Sequence, residues 1–281
     1  MDTSQLVSFY THYQLLDVLL GLLLLIVSVV FSSWSSPYCR PFSWTDPTID
    51  YPYFTSVTFP TWTLVVFIVL ALLLYTAVVS YLGGTLWVWL KAQLLAVISQ
   101  LVVVNMLKVY AGRIRPDYLN RLRSLGFKEE SHQNAGMSGT RAAEYYCRLG
   151  DEHRVLREGR LSFPSGHSST SFAVMTFMSL FLFAYTRPSA RGGSFFRLLM
   201  SLSPMVIAFL CAVSRTRDYW HHFDDIVAGA LLGSVSALLC FYNAFRITEG
   251  GLCVARAIEL MEQEERVEAT PHDPQITVIA G

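Results

Sequence analysis

Lys108, Arg115 and Pro116 close one apolar stretch of the chain. Pro164, Ser165, Gly166 and His167 open another, and Ser214, Arg215, His221 and Asp225 fall between two more. Lys108, Arg115 and Arg215 are fixed cations beside apolar walls, where a cation costs free energy unless it is paired or serves a ligand. A phosphate suits that role, because its non-bridging oxygens match guanidinium forks and a lysine point charge. Ser165, Gly166 and His167 stand where a helix begins. Its first N–H groups have no intrahelical partner, its dipole favours an anion, and glycine admits close backbone approach. His221 and Asp225 are spaced i, i+4, so the carboxylate can hold one ring N–H and leave the other nitrogen bare, a nucleophile with an orienting group. His167, on the opposite side of a bound phosphorus, would act as general acid for a leaving alkoxide. The cations would stabilise charge on the equatorial oxygens during in-line transfer.

Each stretch alone has a plainer reading. Basic residues at span ends mark topology, Pro-Ser-Gly makes a turn and a cap, and a His-His pair at a membrane surface is interfacial. A zinc site from His221, His222 and Asp224 or Asp225 would be a further alternative, but the chain has no H-E-x-x-H and no Cys-x-x-Cys, so no metal and no cofactor is expected.

What would bring the three stretches together is a set of membrane helices. Six apolar blocks, Leu15–Phe31, Trp62–Leu82, Thr85–Val109, Ser168–Tyr185, Leu198–Val213 and Ile226–Phe245, are long enough to be read as spans, the fifth being the weakest and carrying Pro204. Leu15–Phe31 is too long for a signal-peptide core and lacks a basic flank, so it is read as a retained span. Asp17 and Lys91 are ionisable groups in or beside spans, expected to face the bundle interior or to snorkel. Gly229 and Gly233 form a G-x-x-x-G that reads as a helix-packing notch. If all six blocks cross, Ser32–Thr61, Ala111–His167 and Ser214–Asp225 share one face, with His132, His153, His167, His221 and His222. The termini, the Gly83-Gly84 turn and the Arg187–Arg197 loop share the other, which the arginines mark as cytosolic.

Composition agrees. The 281 residues are 53% hydrophobic and only 15% charged, with 21 basic and 21 acidic side chains, and mean hydropathy is +0.40. That excludes a disordered chain and argues against a soluble enzyme, which needs a charged surface. Zero net charge offers no general attraction to nucleic acid. Five cysteines are too few for a disulfide scaffold. The expected organisation is a six-span domain over residues 1–247, with active-site loops at 111–167 and 214–225. An acidic tail over 248–281 is expected to be cytosolic and mostly disordered, apart from a short helix around 255–268.

Taken in order, the stretches resemble the three-part signature of the type 2 phosphatidic acid phosphatase superfamily, K-x-x-x-x-x-x-R-P, P-S-G-H and S-R-x-x-x-x-x-H-x-x-x-D, with every position filled. Residues Tyr145–Arg148, Glu158–Ser169, Asp218–His222 and Thr48–Pro52 look like its eukaryotic lipid phosphate phosphatase branch. The resemblance implies an all-α integral membrane bundle of six helices with the site luminal or extracellular, in an endomembrane (ER, Golgi or vacuole) or the plasma membrane. It implies a Mg²⁺-independent phosphatase with a phosphohistidine intermediate: His221 the nucleophile, Asp225 its orienter, His167 the acid/base, and Lys108, Arg115, Ser165, Gly166 and Arg215 the phosphate cradle. Phosphatidate, lysophosphatidate, sphingoid-base phosphates and diacylglycerol pyrophosphate are the implied substrates. An isoprenoid diphosphate phosphatase or a headgroup phosphotransferase would use the same residues, a non-catalytic lipid-binding protein would not need them intact, and a homo-oligomer is left open. No N-x-[ST] sequon occurs, so no N-glycan is expected. Cys39 and Cys147 both fall on the predicted luminal, oxidising face, and a disulfide between them is expected.

Overall fold

The computed structural model describes residues 14–130, 140–188, 192–248 and 253–256. His132, Arg191 and the tail beyond Arg256, with most of the helix expected over 255–268, lie outside them. The described chain runs α1 (Leu15–Trp34), α2 (Thr61–Leu82), α3 (Leu86–Ala111), three short helices α4 (Tyr118–Ser124), α5 (Thr140–Glu152) and α6 (Arg154–Gly159), then α7 (Gly166–Thr186), α8 (Phe195–Arg217) and α9 (Phe223–Ala244). α1, α2, α3, α7, α8 and α9 are each long and apolar enough to cross a membrane. The outward faces of α1 and α8 leave Leu16, Leu19, Leu20, Phe195, Phe196 and Leu210 more than half exposed. Lipid is the solvent that suits such a surface, since helices satisfy their own backbone polar groups. The protein is an all-α, multi-pass membrane bundle.

α7 is the central helix, packed against α9, α8, α3 and α2, while α1 packs chiefly on α3. Its first turns are serine- and threonine-rich and fully enclosed, and each hydroxyl has work to do. Ser168 donates to the Ile226 carbonyl at 2.6 Å, Ser169 donates to Gln100, and Gln100 donates to Thr170 at 3.0 Å. The G-x-x-x-G is the notch expected: a Cβ on Gly229 would lie 2.5 Å from the Ser165 carbonyl oxygen, and one on Gly233 2.1 Å from that of Ser169. The backbones of α7 and α9 therefore touch. Asp17 and Lys91 pair with each other, 3.7 Å apart.

α8 runs longer at both ends than its hydropathy suggests. Ser194 caps it, accepting from the Arg197 N–H. Pro204 cannot donate to the Met200 carbonyl, and Ser203 Oγ takes that acceptor at 2.8 Å. The expected boundary at residue 247 is also crossed: β1 (Phe245–Ile247) pairs antiparallel with β2 (Cys253–Ala255), Phe245 stacks on Trp89 at 4.0 Å, and Ala255 is buried.

The loops fall into the two predicted groups. Cys39 and Cys147 form a disulfide with Cα atoms 5.9 Å apart, tying the first loop to α5. Tyr51 N–H donates to Pro116 at 3.0 Å, and its ring stacks on Tyr219 at 4.7 Å. The loops after α1, α3 and α8 thus form one layer. At the far end, Tyr185 Oη reaches the Gly83 carbonyl.

Candidate active site

Asp225, in the first turn of α9, is fully buried. Its Oδ2 accepts from Ser162 Oγ at 2.6 Å and from the His222 N–H at 2.9 Å, and its Oδ1 accepts from Arg113 Nη1 at 2.9 Å. The His221 ring faces the same carboxylate, Nδ1 lying 3.7 Å from Oδ2. That is longer than a direct hydrogen bond: the ring is aimed at the carboxylate and not yet clasped by it. Catalytic hydrogen bonds often tighten only around the reacting group. His221 sits in a turn fixed by Tyr219 at φ 58° and by the N–H groups of Trp220 and His221, which both donate to the Arg215 carbonyl. Burial holds its pKa well below the ordinary histidine value. Asp225 works against that shift, and the Arg115 and Lys108 charges add to it. A neutral imidazole carries the lone pair a nucleophile needs.

The cations come from three elements. Lys108 is in the last turn of α3, with Nζ 3.9 Å from where a Cβ on Gly166 would stand. Arg115 follows α3 and is 2% exposed. Its Nε donates to the Glu158 carbonyl at 2.8 Å, its guanidinium lies over Trp220 at 4.6 Å, and its buried Nη1 has no protein partner. Burial first, and the neighbouring Arg121 charge second, lower its pKa to about 10, with Glu158, Asp117 and Asp225 opposing; it remains a cation at neutral pH. Arg215, at the end of α8, donates to Ser214 Oγ and to Asp218. Asp218 in turn accepts from Thr58 N–H at 2.9 Å and Thr58 Oγ1 at 2.7 Å.

Ser165 caps α7, its Oγ accepting from the Ser168 N–H, while its own N–H donates to the Asp225 carbonyl at 3.0 Å. His167 lies in the first turn of α7 within the fields of Arg215, Lys108 and Arg115, and its ring meets the backbone of Phe59. Its buried Nε2 has no protein partner. The structure therefore brings all eight predicted residues to one layer, at the ends of α3, α7, α8 and α9. His222 turns away, its Nε2 3.2 Å from the Ile114 carbonyl, and among the described residues no group of three or more His, Cys, Asp or Glu is placed to hold a metal ion.

The model of the "PAP2 superfamily" matches residues 89–249, more than half of the chain and inclusive of all eight predicted residues. The chain belongs to the PAP2 superfamily. A Schizosaccharomyces pombe protein named "Probable diacylglycerol pyrophosphate phosphatase 1" is 32% identical over 77% of this chain and 76% of its own length. "Lipid phosphate phosphatase 1" of Arabidopsis thaliana is 34% identical over 69% of this chain and 56% of its own. "Diacylglycerol pyrophosphate phosphatase 1" of Saccharomyces cerevisiae is 28% identical over 83% and 80%. These relatives place the chain in the lipid phosphate phosphatase branch. The first relatives matched are longer proteins, of which the chain spans about half or less, 38%, 44% and 56%. No solved structure matches it.

Within this PAP2 site, four contributors escape a reading of the motifs. Arg113 and Ser162 hold Asp225, Asp218 holds Arg215, and Thr58 holds Asp218. Arg113 sits at a variable position of the first motif and Asp218 at one of the third. Thr58 belongs to a loop 160 residues from its partner, a separation that leaves no local pattern.

Proposed function

We propose that the protein is a membrane phosphatase that hydrolyses lipid phosphate monoesters through a phosphohistidine. The observation that carries this is a buried His221 facing a buried carboxylate, beside Lys108 and Arg215 at two helix ends, Arg115 in the loop after α3, and a second histidine. His221 attacks phosphorus with its bare ring nitrogen. Lys108, Arg115 and Arg215 bear on the non-bridging oxygens, with the N–H groups that open α7 at Ser165 and Gly166. The P–O bond to the lipid breaks as His167 protonates the departing alkoxide oxygen. Water, giving its proton to His167, then cleaves the P–N bond and frees phosphate and His221. Asp225 fixes the ring and stabilises its positive charge. No step calls for a metal. The site lies at the ends of spans, so a lipid headgroup reaches it while the acyl chains stay in the bilayer; the face carrying it is read as luminal or extracellular.

Relatives named for diacylglycerol pyrophosphate favour a second substrate, a lipid pyrophosphate whose terminal phosphoryl passes to His221 by the same steps with the lipid monophosphate as leaving group. The test is phosphate release in detergent micelles containing excess EDTA, from phosphatidate, lysophosphatidate, a sphingoid-base phosphate, diacylglycerol pyrophosphate and an isoprenoid diphosphate. Wild type turns over, and His221→Ala loses more than about 10⁴-fold. Turnover abolished by EDTA and restored by metal would refute the mechanism. Dependence on an acceptor lipid would make the enzyme a phosphotransferase.

A further inference from the structure

A second feature lies beside Arg113, which bonds Asp225. A groove of about 1190 Å³ opens between the last turns of α1 and α3. Phe31 and Leu107 form an apolar wall, and Tyr110, Arg40, Arg113 and Asp224 form its rim. Lys108, His167 and His221 do not line it. The groove therefore lies at headgroup depth but is separate from the phosphate cradle.

Arg113 links the two. Its Nη1 alone serves both Asp225 and Asp224, and its side chain is 27% exposed on the groove side. Arg40 spends Nε on the Ala111 carbonyl at 2.7 Å, and the rest of its guanidinium is exposed at the rim. Two guanidinium groups above an apolar wall suit a phosphate carried on acyl chains. Asp224, 66% exposed, is the weaker competitor for Arg113, because water screens it.

We propose that this groove binds an anionic phosphodiester lipid of the surrounding membrane, and that Arg113 reports its presence to Asp225. A phosphodiester on Arg113 offsets the charge that draws Asp225 toward the groove, leaving the carboxylate freer to polarise His221. The inference rests on His221 and Asp225 acting as assigned above. It expects kcat on phosphatidate to rise on the order of fivefold, at the low end for two coupled sites, with KM unchanged.

The experiment titrates phosphatidylglycerol, a phosphodiester, into the full chain in detergent with phosphatidate at fixed surface fraction. In parallel, native mass spectrometry counts the phosphatidylglycerol retained. Arg40→Gln and Tyr110→Glu are compared with wild type. Tyr110 is 84% exposed, so its replacement disturbs no packing, and neither residue touches the catalytic groups. Wild type is expected to retain one phosphatidylglycerol and to show saturable activation. Both variants should lose retention at least fivefold and lose the activation while keeping basal turnover. Equal retention by wild type and variants overturns the site. Retention without a change in kcat overturns the coupling. A rise in KM alone shows that the groove is the substrate's own seat and overturns the separate lipid. Retention is read without turnover, so it stands even if phosphatidate is not cleaved.

Discussion

Gly229→Ala places a methyl group in the close α7–α9 contact beside Ser165 and Asp225. The new Cβ would sit 2.5 Å from the Ser165 carbonyl oxygen, 3.0 Å from Ser168 Cβ and 3.1 Å from the Ser169 N–H nitrogen. None of these can swing away, because two are α7 main-chain or capping atoms and Ser168 is held by its bond to Ile226. α9 must therefore move off α7 by about 1 Å to restore ordinary contact. That movement stretches the Ser165 N–H bond to the Asp225 carbonyl, now 3.0 Å, and carries Asp225 away from α7, which bears His167. Lys108 and Gly166 lie on α3 and α7 and keep their relation. Phosphate binding should survive while its alignment with the nucleophile does not. Overpacking of this kind costs about 1–3 kcal/mol of stability, and a misplacement of about 1 Å costs about 10²-fold in rate. Initial rates of phosphate release over a range of phosphatidate surface fractions, on protein shown to be folded by size-exclusion chromatography, should give kcat down about 10²-fold and KM within a few-fold. Val227→Ala, one helix face away and 56% exposed, should change neither. Folded Gly229→Ala with kcat within threefold of wild type would show that the chemistry does not depend on the α7–α9 contact.

Thr58→Val removes the hydroxyl that steadies Asp218, and through it Arg215. Loss of one hydrogen bond to a charged group, about 1.5–3 kcal/mol, should lower kcat/KM at least tenfold; Thr58→Ser should restore it, and equal kinetics for both variants would remove Thr58 from the site. Cys147→Ser opens a disulfide spanning 108 residues. The chain-entropy model sets an upper figure of about 4–5 kcal/mol, with 2–5 typical of native bridges, so a clear fall in Tm is expected, matched by reductant acting on wild type. An unchanged Tm would mean that the loops are held by their packing alone. His221 stays neutral in the folded chain but protonates near pH 6.5 when unfolded, so its contribution is complete above that pH and declines as pH falls below it. The slope is at most about 1.4 kcal/mol per pH unit. Thermal unfolding between pH 7 and 5 should be less acid-sensitive in His221→Asn than in wild type; identical profiles would mean that His221 is not held neutral.

Hydropathy made the six spans legible because each is a local property of about 20 residues. The eight motif residues stood out in the sequence because cations, histidines, a carboxylate and a helix start gathered at span ends are the chemistry a phosphate would call for. Residues that act through another residue left no such trace. Arg113 reads as one more topology marker, and only the fold shows it bonded to Asp225. Thr58 is one hydroxyl among many in a loop, and its role depends on how α8 ends. Gly229 and Gly233 fell between these cases: the spacing was visible, but the partner, the α7 backbone at Ser165 and Ser169, was not. The β1–β2 ribbon was missed because the polar sequence from Thr248 onward reads as the start of a tail, although Phe245 just before it packs on Trp89.

The distribution of charge argues for the kind of phosphate bound. Among the described residues, the buried Arg121 is neutralised on the spot by two bonds with Asp117. Within the site, Arg215 has Asp218, and Arg113 has Asp225 with the exposed, water-screened Asp224. Lys108 and Arg115 differ: among the described residues, no carboxylate lies within ion-pair distance of either. With His221 neutral, Lys108 and Arg115 supply two positive charges without a carboxylate partner, before the proton that His167 must carry as general acid. A phosphate monoester near neutral pH carries almost two negative charges, its second pKa being about 6. A phosphodiester carries one and would leave a buried cation unmatched, which is costly. Charge balance thus favours cleavage of monoesters over the diester lipids that surround the protein in far greater number.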